Sequence, residues 1–322
     1  MSEFNLFSLV QPELNQVEKE LKQSINSNID ILHEASIHLI NAGGKRLRPA
    51  FALLVARLFK PDISNAIPMA VALELIHMAT LVHDDVIDNS QARRGTFTVK
   101  KGWGNRISLY SGNYILARSL ALIAQYKRND LLEIMAETSM KICEGEIIQM
   151  LSSFNVNIGL KNYLRRIERK TALLIAVSCE LGALVADAHA DRVRDLQRYG
   201  YFLGMAFQVT DDILDLVADE EVLGKPTGSD IRQGVITLPA LYAMYHGKHG
   251  QELKLALASP EKCNNDTEKI IDMILDSDGI DYSYYVSQRY AKKAQIQLQN
   301  FPDLPEKKAL LDIANYILER DY

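Results

Sequence analysis

The chain has 322 residues, 48% of them apolar, with a net charge of −5 and a pI near 5.9. That composition supplies a sizeable core and excludes wholesale disorder. The acidic balance argues against a general nucleic-acid binder, which would carry an overall basic face.

In chain order, the first residues, Met1-Ser2-Glu3-Phe4-Asn5, offer neither a basic n-region nor an apolar h-region, so no secretory signal is read there. Apolar residues then recur at intervals of three and four, while alternating strand patterns are scarce. Helices are expected over 7–26, 28–41, 46–59 and 67–90, with Pro49 and Pro68 in first helical turns. Gly95, Gly102 and Gly104 mark a loop, after which helices are expected over 105–125, 129–152, 160–187 and 191–218. A polar loop over 219–234 carries Gly224, Pro226, Gly228 and Gly234, and helices resume at 235–246, 249–258, 264–276, 280–299 and 305–320. No run of about 18 uncharged apolar residues predicts a spanning helix. The three cysteines, Cys143, Cys179 and Cys263, are odd in number and widely spaced, which suits buried thiols in a reducing cytoplasm better than a disulfide framework or a zinc site. No repeat or linker divides the chain. The expectation is one all-α domain over 1–322, a helical bundle whose members at 67–90 and 191–218 are apolar on more than one face.

Carboxylates at the end of such a helix need a reason, because a buried charge must be paired or bound to metal. Asp84-Asp85-Val86-Ile87-Asp88 places Asp84 and Asp88 four apart on one face, against the sign the helix dipole favours there. Hard oxygen ligands at that spacing suit Mg²⁺, which keeps several waters and bridges to phosphates. One such motif recurs by chance. Asp211-Asp212-Ile213-Leu214-Asp215 repeats the pattern 127 residues later, again near the end of an apolar helix, and that repetition gives the motif its weight. The basic clusters, short and far apart, suit small anions. Gly43-Gly44 leads into Lys45 and Arg48, read as lying on one face, and Arg93-Arg94 follows the first acidic motif. Lys170-Thr171 and Lys225 add further cations and a hydroxyl for phosphate oxygens.

GGKRLRP at 43–49, ELIHMATLVHDDVIDNSQARRG at 74–95, KTA at 170–172, LGMAFQVTDDILD at 203–215 and GKPTGSDIRQG at 224–234, followed by Thr237-Leu238-Pro239, resemble the trans-type polyprenyl diphosphate synthases. The resemblance runs from about Gly43 to Leu241. It implies an isoprenoid synthase bundle with a central active-site cavity, condensing isopentenyl diphosphate with an allylic diphosphate. It further implies that Asp84, Asp85, Asp88, Asp211, Asp212 and Asp215 bind Mg²⁺, three ions per site with substrate bound. Arg93, Lys170, Thr171, Gln208 and Lys225 would hold the allylic diphosphate; Gly44, Lys45, Arg48, His77 and Arg94 would hold isopentenyl diphosphate. The catalytic set is Asp84, Asp85, Asp88, Asp211, Asp212 and Lys170. Two positions depart from the family: Val235 stands where shorter-chain members often have lysine, and Asn113 where aspartate is usual. The resemblance also implies a homodimer, or a heterodimer with a smaller helical subunit, serving quinone side chains, with transient membrane-surface contact for product release.

Product length is argued from the helix that ends in Asp84. Thr80 and Ala79, four and five residues earlier, are small where short-chain relatives carry aromatics, and Ile76 follows one turn further back. From Asp84 back to Pro68 is 16 residues, or ~24 Å of helix. An extended isoprene unit spans roughly 4–5 Å, so a C30 to C35 product is expected, with C40 the upper edge. The competing readings are a shorter-chain farnesyl or geranylgeranyl synthase, a class I terpene cyclase and a non-catalytic partner subunit. A cyclase needs no second diphosphate site, and a non-catalytic subunit would have lost aspartates that are present here.

Overall fold

Helix follows helix along almost the whole chain in the computed structural model, which describes residues 6–218 and 227–318. After a short 3-10 turn come α1 (Gln11–Ser24), α2 (Asp30–Asn41), α3 (Leu47–Arg57) and α4 (Ile67–Ile87). A ribbon of two short strands, β1 (Ala92–Arg93) and β2 (Thr96–Phe97), leads to α5 (Val99–Ala124), α6 (Asn129–Ser152), α7 (Leu160–Ile167), α8 (Leu173–Val185) and α9 (Ala190–Val217). The remainder is α10 (Ser229–Arg232), α11 (Leu238–His246), α12 (Gly250–Leu257), α13 (Pro260–Asn265), α14 (Thr267–Leu275), α15 (Gly279–Gln297) and α16 (Pro305–Leu318).

The chain forms two compact units. The first gathers residues 1–136, 177–197 and 302–309, the second 137–176, 198–301 and 310–322. In the first, α4 is buried nearly all round, through Met69, Val71, Leu73, Leu75, Ile76 and Met78. It packs most extensively on α5, which presents small residues such as Ser108, Ser111 and Ser119. The Ser119 hydroxyl donates to the Ala72 carbonyl at 2.8 Å, so a polar side chain enters this close contact without an unpaired atom. In the second unit, Tyr163, Val209, Ile213, Ile231, Leu241 and Ile270 belong to one continuous core. A helix over Ser64–Ile87 is long and apolar enough to cross a membrane, but most of it is buried in the fold.

The expected helices are present, with six departures. The loop after α4 contains the β1–β2 ribbon. Its register, Arg93 opposite Thr96, leaves a two-residue turn whose members, Arg94 (φ 52°) and Gly95 (φ 75°), both take the left-handed conformation of a type I′ hairpin. The expected helix over 105–125 begins at Val99, with a break at Gly104 (φ 80°, ψ 168°). The expected helix over 160–187 is interrupted by a π turn, Glu168–Ala172. The stretch 264–276 is divided between α13 and α14. Lys45 precedes α3, whose N-cap Arg46 is left-handed (φ 49°), so Lys45 and Arg48 do not share a helix face as expected. In the loop 219–234, α10 forms at 229–232, while Lys225 lies outside the described residues.

Candidate active site

In the first unit, α4 ends in a cap that fixes the first acidic motif. Asp88 is the C-cap, Asn89 turns left-handed (φ 55°), and the Ser90 N–H reaches back to the Asp85 carbonyl at 3.0 Å. This is a Schellman motif, with asparagine in the place usually given to glycine. Asp84 is half-buried and Asp88 exposed. Asp85 points inward and is buried; Arg93 holds its Oδ1 through Nε at 2.9 Å and Nη2 at 2.8 Å. The ribbon therefore ties Arg93 to the motif it follows in sequence.

Around that point the first unit assembles a cationic cluster. Arg94 donates to the Gly43 carbonyl, and a Cβ at Gly44 would stand 2.5 Å from the Arg94 Nη1, so a side chain there would displace the Arg94 guanidinium. Arg46 is buried. It bonds Glu18, reaches Glu74 Oε1 at 2.9 Å and the Ile40 carbonyl at 3.3 Å. Burial pulls its pKa down, but the two glutamates outweigh burial and hold it above the ordinary value. Arg48 has no such compensation: burial is the main cause that lowers its pKa to about 10, opposed by Glu74 and reinforced by Arg94. Its Nε has no partner among the described residues. A buried unpaired donor is costly, and a phosphate oxygen would satisfy it. His77 feels this charge most. Burial, then Arg48, Arg94, Arg93 and Arg46, hold its pKa well below the usual imidazole value, so it is neutral.

In the second unit the second acidic motif occupies the last turns of α9. Asp211 is half-buried, whereas Asp212 and Asp215 are buried. Asp212 accepts the Tyr163 hydroxyl at 2.8 Å on Oδ2 and the Gln208 amide at 2.8 Å on Oδ1. Burial, then the nearby Asp230, push its pKa up to about 7 against the opposing pull of Arg166, Gln208 and Tyr163. Asp215 fastens the segment that follows: Oδ1 accepts the Ser229 hydroxyl at 2.7 Å, Oδ2 the Asp230 N–H at 3.1 Å, and its carbonyl the Gly228 N–H at 2.7 Å. The π turn carries Lys170 and Thr171, whose side chains bond Gln149 at 3.1 Å and Gln208 at 2.5 Å. Such turns insert one extra residue into a helix, which re-aims the side chains on it.

The six aspartates thus divide by accessibility. Asp85, Asp212 and Asp215 are buried and engaged by protein donors; Asp84, Asp88 and Asp211 reach the surface. The accessible donors are hard carboxylate oxygens, the chemistry that suits Mg²⁺. Among the described residues no three carboxylate, imidazole or thiol side chains converge on one point. An ion held by one or two of these carboxylates would complete its shell with water and phosphate oxygens. Along α4, Ala79 and Ile76 are buried, and the half-buried Thr80 bonds the His77 carbonyl at 2.7 Å.

Sequence reasoning missed Glu18, Arg46 and Glu74 beneath the cationic cluster, and Tyr163 and Gln149 beside the second motif. Glu74 left a signal, as a lone carboxylate inside the otherwise apolar stretch 67–82. Tyr163 left a weaker one: it shares a helical stripe with Ile167 and Thr171.

A family model described as "Polyprenyl synthetase" matches residues 29–274. A relative from Geobacillus stearothermophilus named "Heptaprenyl diphosphate synthase component 2" is 45% identical over 319 residues, covering 98% of each chain. Its namesake from Bacillus subtilis (strain 168) is 43% identical, covering 98% of this chain and 90% of that one. A crystal structure of the heptaprenyl diphosphate synthase from Staphylococcus aureus superposes with a TM-score of 0.91 at 40% identity, covering 97% of this chain and 99% of that one.

Proposed function

The chain belongs to the polyprenyl synthetase family, and from that premise we propose that it is a long-chain all-trans polyprenyl diphosphate synthase. The observation that carries this reading is the cationic cluster of Arg48, Arg93, Arg94 and neutral His77 beside the capped first acidic motif, with a buried Arg48 donor that lacks a partner among the described residues. Such a cluster selects a multiply charged anion, and Arg48 with Arg94, Lys45 and His77 would hold isopentenyl diphosphate. Arg93, Lys170, Thr171 and Gln208 would hold the allylic diphosphate, with Lys225, which lies outside the described residues.

Asp84, Asp88 and Asp211 would hold magnesium directly, three ions with substrate bound, while Asp85, Asp212 and Asp215 keep the motifs in place. Magnesium, when bound, would neutralise charge that develops on the leaving diphosphate. Arg93 would add fixed positive charge at the same group, where it counts most in a water-poor site. Arg48 and Arg94, by holding isopentenyl diphosphate, would set its double bond against the allylic carbon, which lowers the entropic part of the barrier. The isopentenyl unit then loses a proton, and the diphosphate lengthened by five carbons re-enters the cycle. His77, neutral and ringed by arginines, is poorly placed to accept that proton, and we assign acceptance to the departing pyrophosphate.

We take residues 1–322 as one synthase domain, and the family match draws on segments of both units. Relatives named as a second component support a partner subunit. So do the exposed apolar side chains Met140, Ile147 and Leu151, which form a stripe on α6 at helical spacing. The place of action is the cytoplasm, the partner a smaller helical subunit, and the product a precursor of quinone side chains. Pyrophosphate release in the presence of both diphosphates, with and without magnesium, tests the reading. Release that depends on all three supports it; release from the allylic substrate alone would indicate a cyclase instead.

A further inference from the structure

We propose that Tyr163 is a positioning residue for the second acidic motif. Its hydroxyl holds Asp212, which in turn holds Gln208 beside Thr171. The inference rests on the reading of the chain as a diphosphate-using prenyltransferase.

The polarity of each link follows from the groups involved. The Tyr163 phenol donates to Asp212 Oδ2 at 2.8 Å. The other oxygen, Oδ1, lies 2.8 Å from the Gln208 side chain and must face its NH₂ group rather than its carbonyl. That choice turns the Gln208 Oε1 towards Thr171, whose hydroxyl at 2.5 Å must then donate to it. The Thr171 hydroxyl is thereby held at Gln208 in the ligand-free protein.

Tyr163 also has the rigidity an anchor needs. It is fully buried in the second unit's core, with the Arg166 guanidinium 5.5 Å from its ring centroid, and Arg166 is itself fixed by a 2.7 Å bond to the Ile236 carbonyl. Without the phenol, Asp212 loses one donor and can rotate. Gln208 then loses the fixed side chain that holds its amide.

The test is a cycle of Tyr163→Phe, Asp212→Asn and the double variant. It is followed by kcat, by KM for each diphosphate, and by the rise in melting temperature on adding magnesium and inorganic pyrophosphate. Tyr163→Phe keeps the ring, and should lower kcat by about 10- to 100-fold while moving KM for isopentenyl diphosphate by less than about two-fold. It should also reduce the stabilisation by magnesium and pyrophosphate. In the Asp212→Asn background the phenol donates to a neutral amide oxygen instead of a carboxylate, so adding Tyr163→Phe should lower kcat by clearly less than it does in the wild type. That background also removes the unpaired buried carboxylate that could unfold the single variant. Losses that multiply across the double variant, or a Tyr163→Phe protein with unchanged kcat and unchanged stabilisation, would overturn the proposal and leave Tyr163 a core tyrosine. Wild-type protein that neither turns over nor is stabilised would overturn the functional reading together with it.

Discussion

On the proposed reading, single residues in the two acidic motifs do different work, and substitutions should separate them. Asp84 and Asp211 are accessible carboxylates, and their loss would remove charge stabilisation at the leaving group. Asp84→Ala or Asp211→Ala should lower kcat by about 10³-fold or more, with melting temperatures close to wild type. Turnover within ten-fold of wild type in either variant would show that these positions do not hold the ions. His77 gives a prediction of another kind. Its pKa is held well below the ordinary imidazole value, first by burial and then by Arg48, Arg94, Arg93 and Arg46. Below pH ~6.5 the unfolded chain takes up a proton there that the folded chain refuses. Stability is therefore full above that pH and declines as pH falls towards the depressed folded value, by at most about 1.4 kcal/mol per pH unit. Asp212, raised to about 7, gains stability as pH falls through the same range, so the His77 decline is read as the difference between wild type and His77→Gln in melting curves of the ligand-free protein between pH 8 and 5. An unchanged slope in His77→Gln would place the titration elsewhere. The identities of the acidic and basic motif residues were legible in the sequence, because charge at the end of an apolar helix is anomalous by itself. Which aspartates face outward was not legible. That division depends on Arg93, Tyr163, Gln208 and Ser229, whose contacts arise from tertiary packing.

At the scale of elements, helical periodicity located nearly every helix, since α4 and α9 are long and buried. What it could not show are breaks caused by single backbone conformations. The ribbon at 92–97 depends on two successive left-handed residues, one of them arginine. The π turn at 168–172 inserts one residue without any glycine or proline to mark it. Both features carry residues assigned to diphosphate binding, where strained backbone is most often retained. Helix α4 also carries the argument for product length. Ala79 and Ile76 are buried on it and Thr80 is half-buried; on the proposed reading the small residue at 79 would let a growing chain pass the first turns below Asp84. Ala79→Phe should shift products to C15–C20 while condensation continues, as read by chromatography of the dephosphorylated alcohols. Unchanged length would mean that the chain grows along another wall, and would remove the physical basis for the long-chain assignment.

At the scale of the whole molecule, helical periodicity, the paired motifs and the basic clusters pointed to an all-helical protein for small anionic ligands, and the resemblance to polyprenyl diphosphate synthases supplied the enzyme class. Assembly was not legible in the same way, because an exposed apolar stripe such as Met140, Ile147 and Leu151 has no fixed sequence signature until the helix is placed. If a second subunit completes the enzyme, the purified chain alone should make little long-chain product and regain it when the smaller subunit is added. Full long-chain synthesis by the chain alone would refute that requirement without touching the chemistry. The measurement that bears most directly on the central claim is product analysis with labelled isopentenyl diphosphate, an allylic primer and magnesium, with the chain assayed alone and with its smaller subunit. The account predicts all-trans products concentrated at C30–C35, reaching C40 at most, and lost when magnesium is chelated. Products that stop at C15–C20 under both conditions, or no magnesium-dependent incorporation under either, would contradict it.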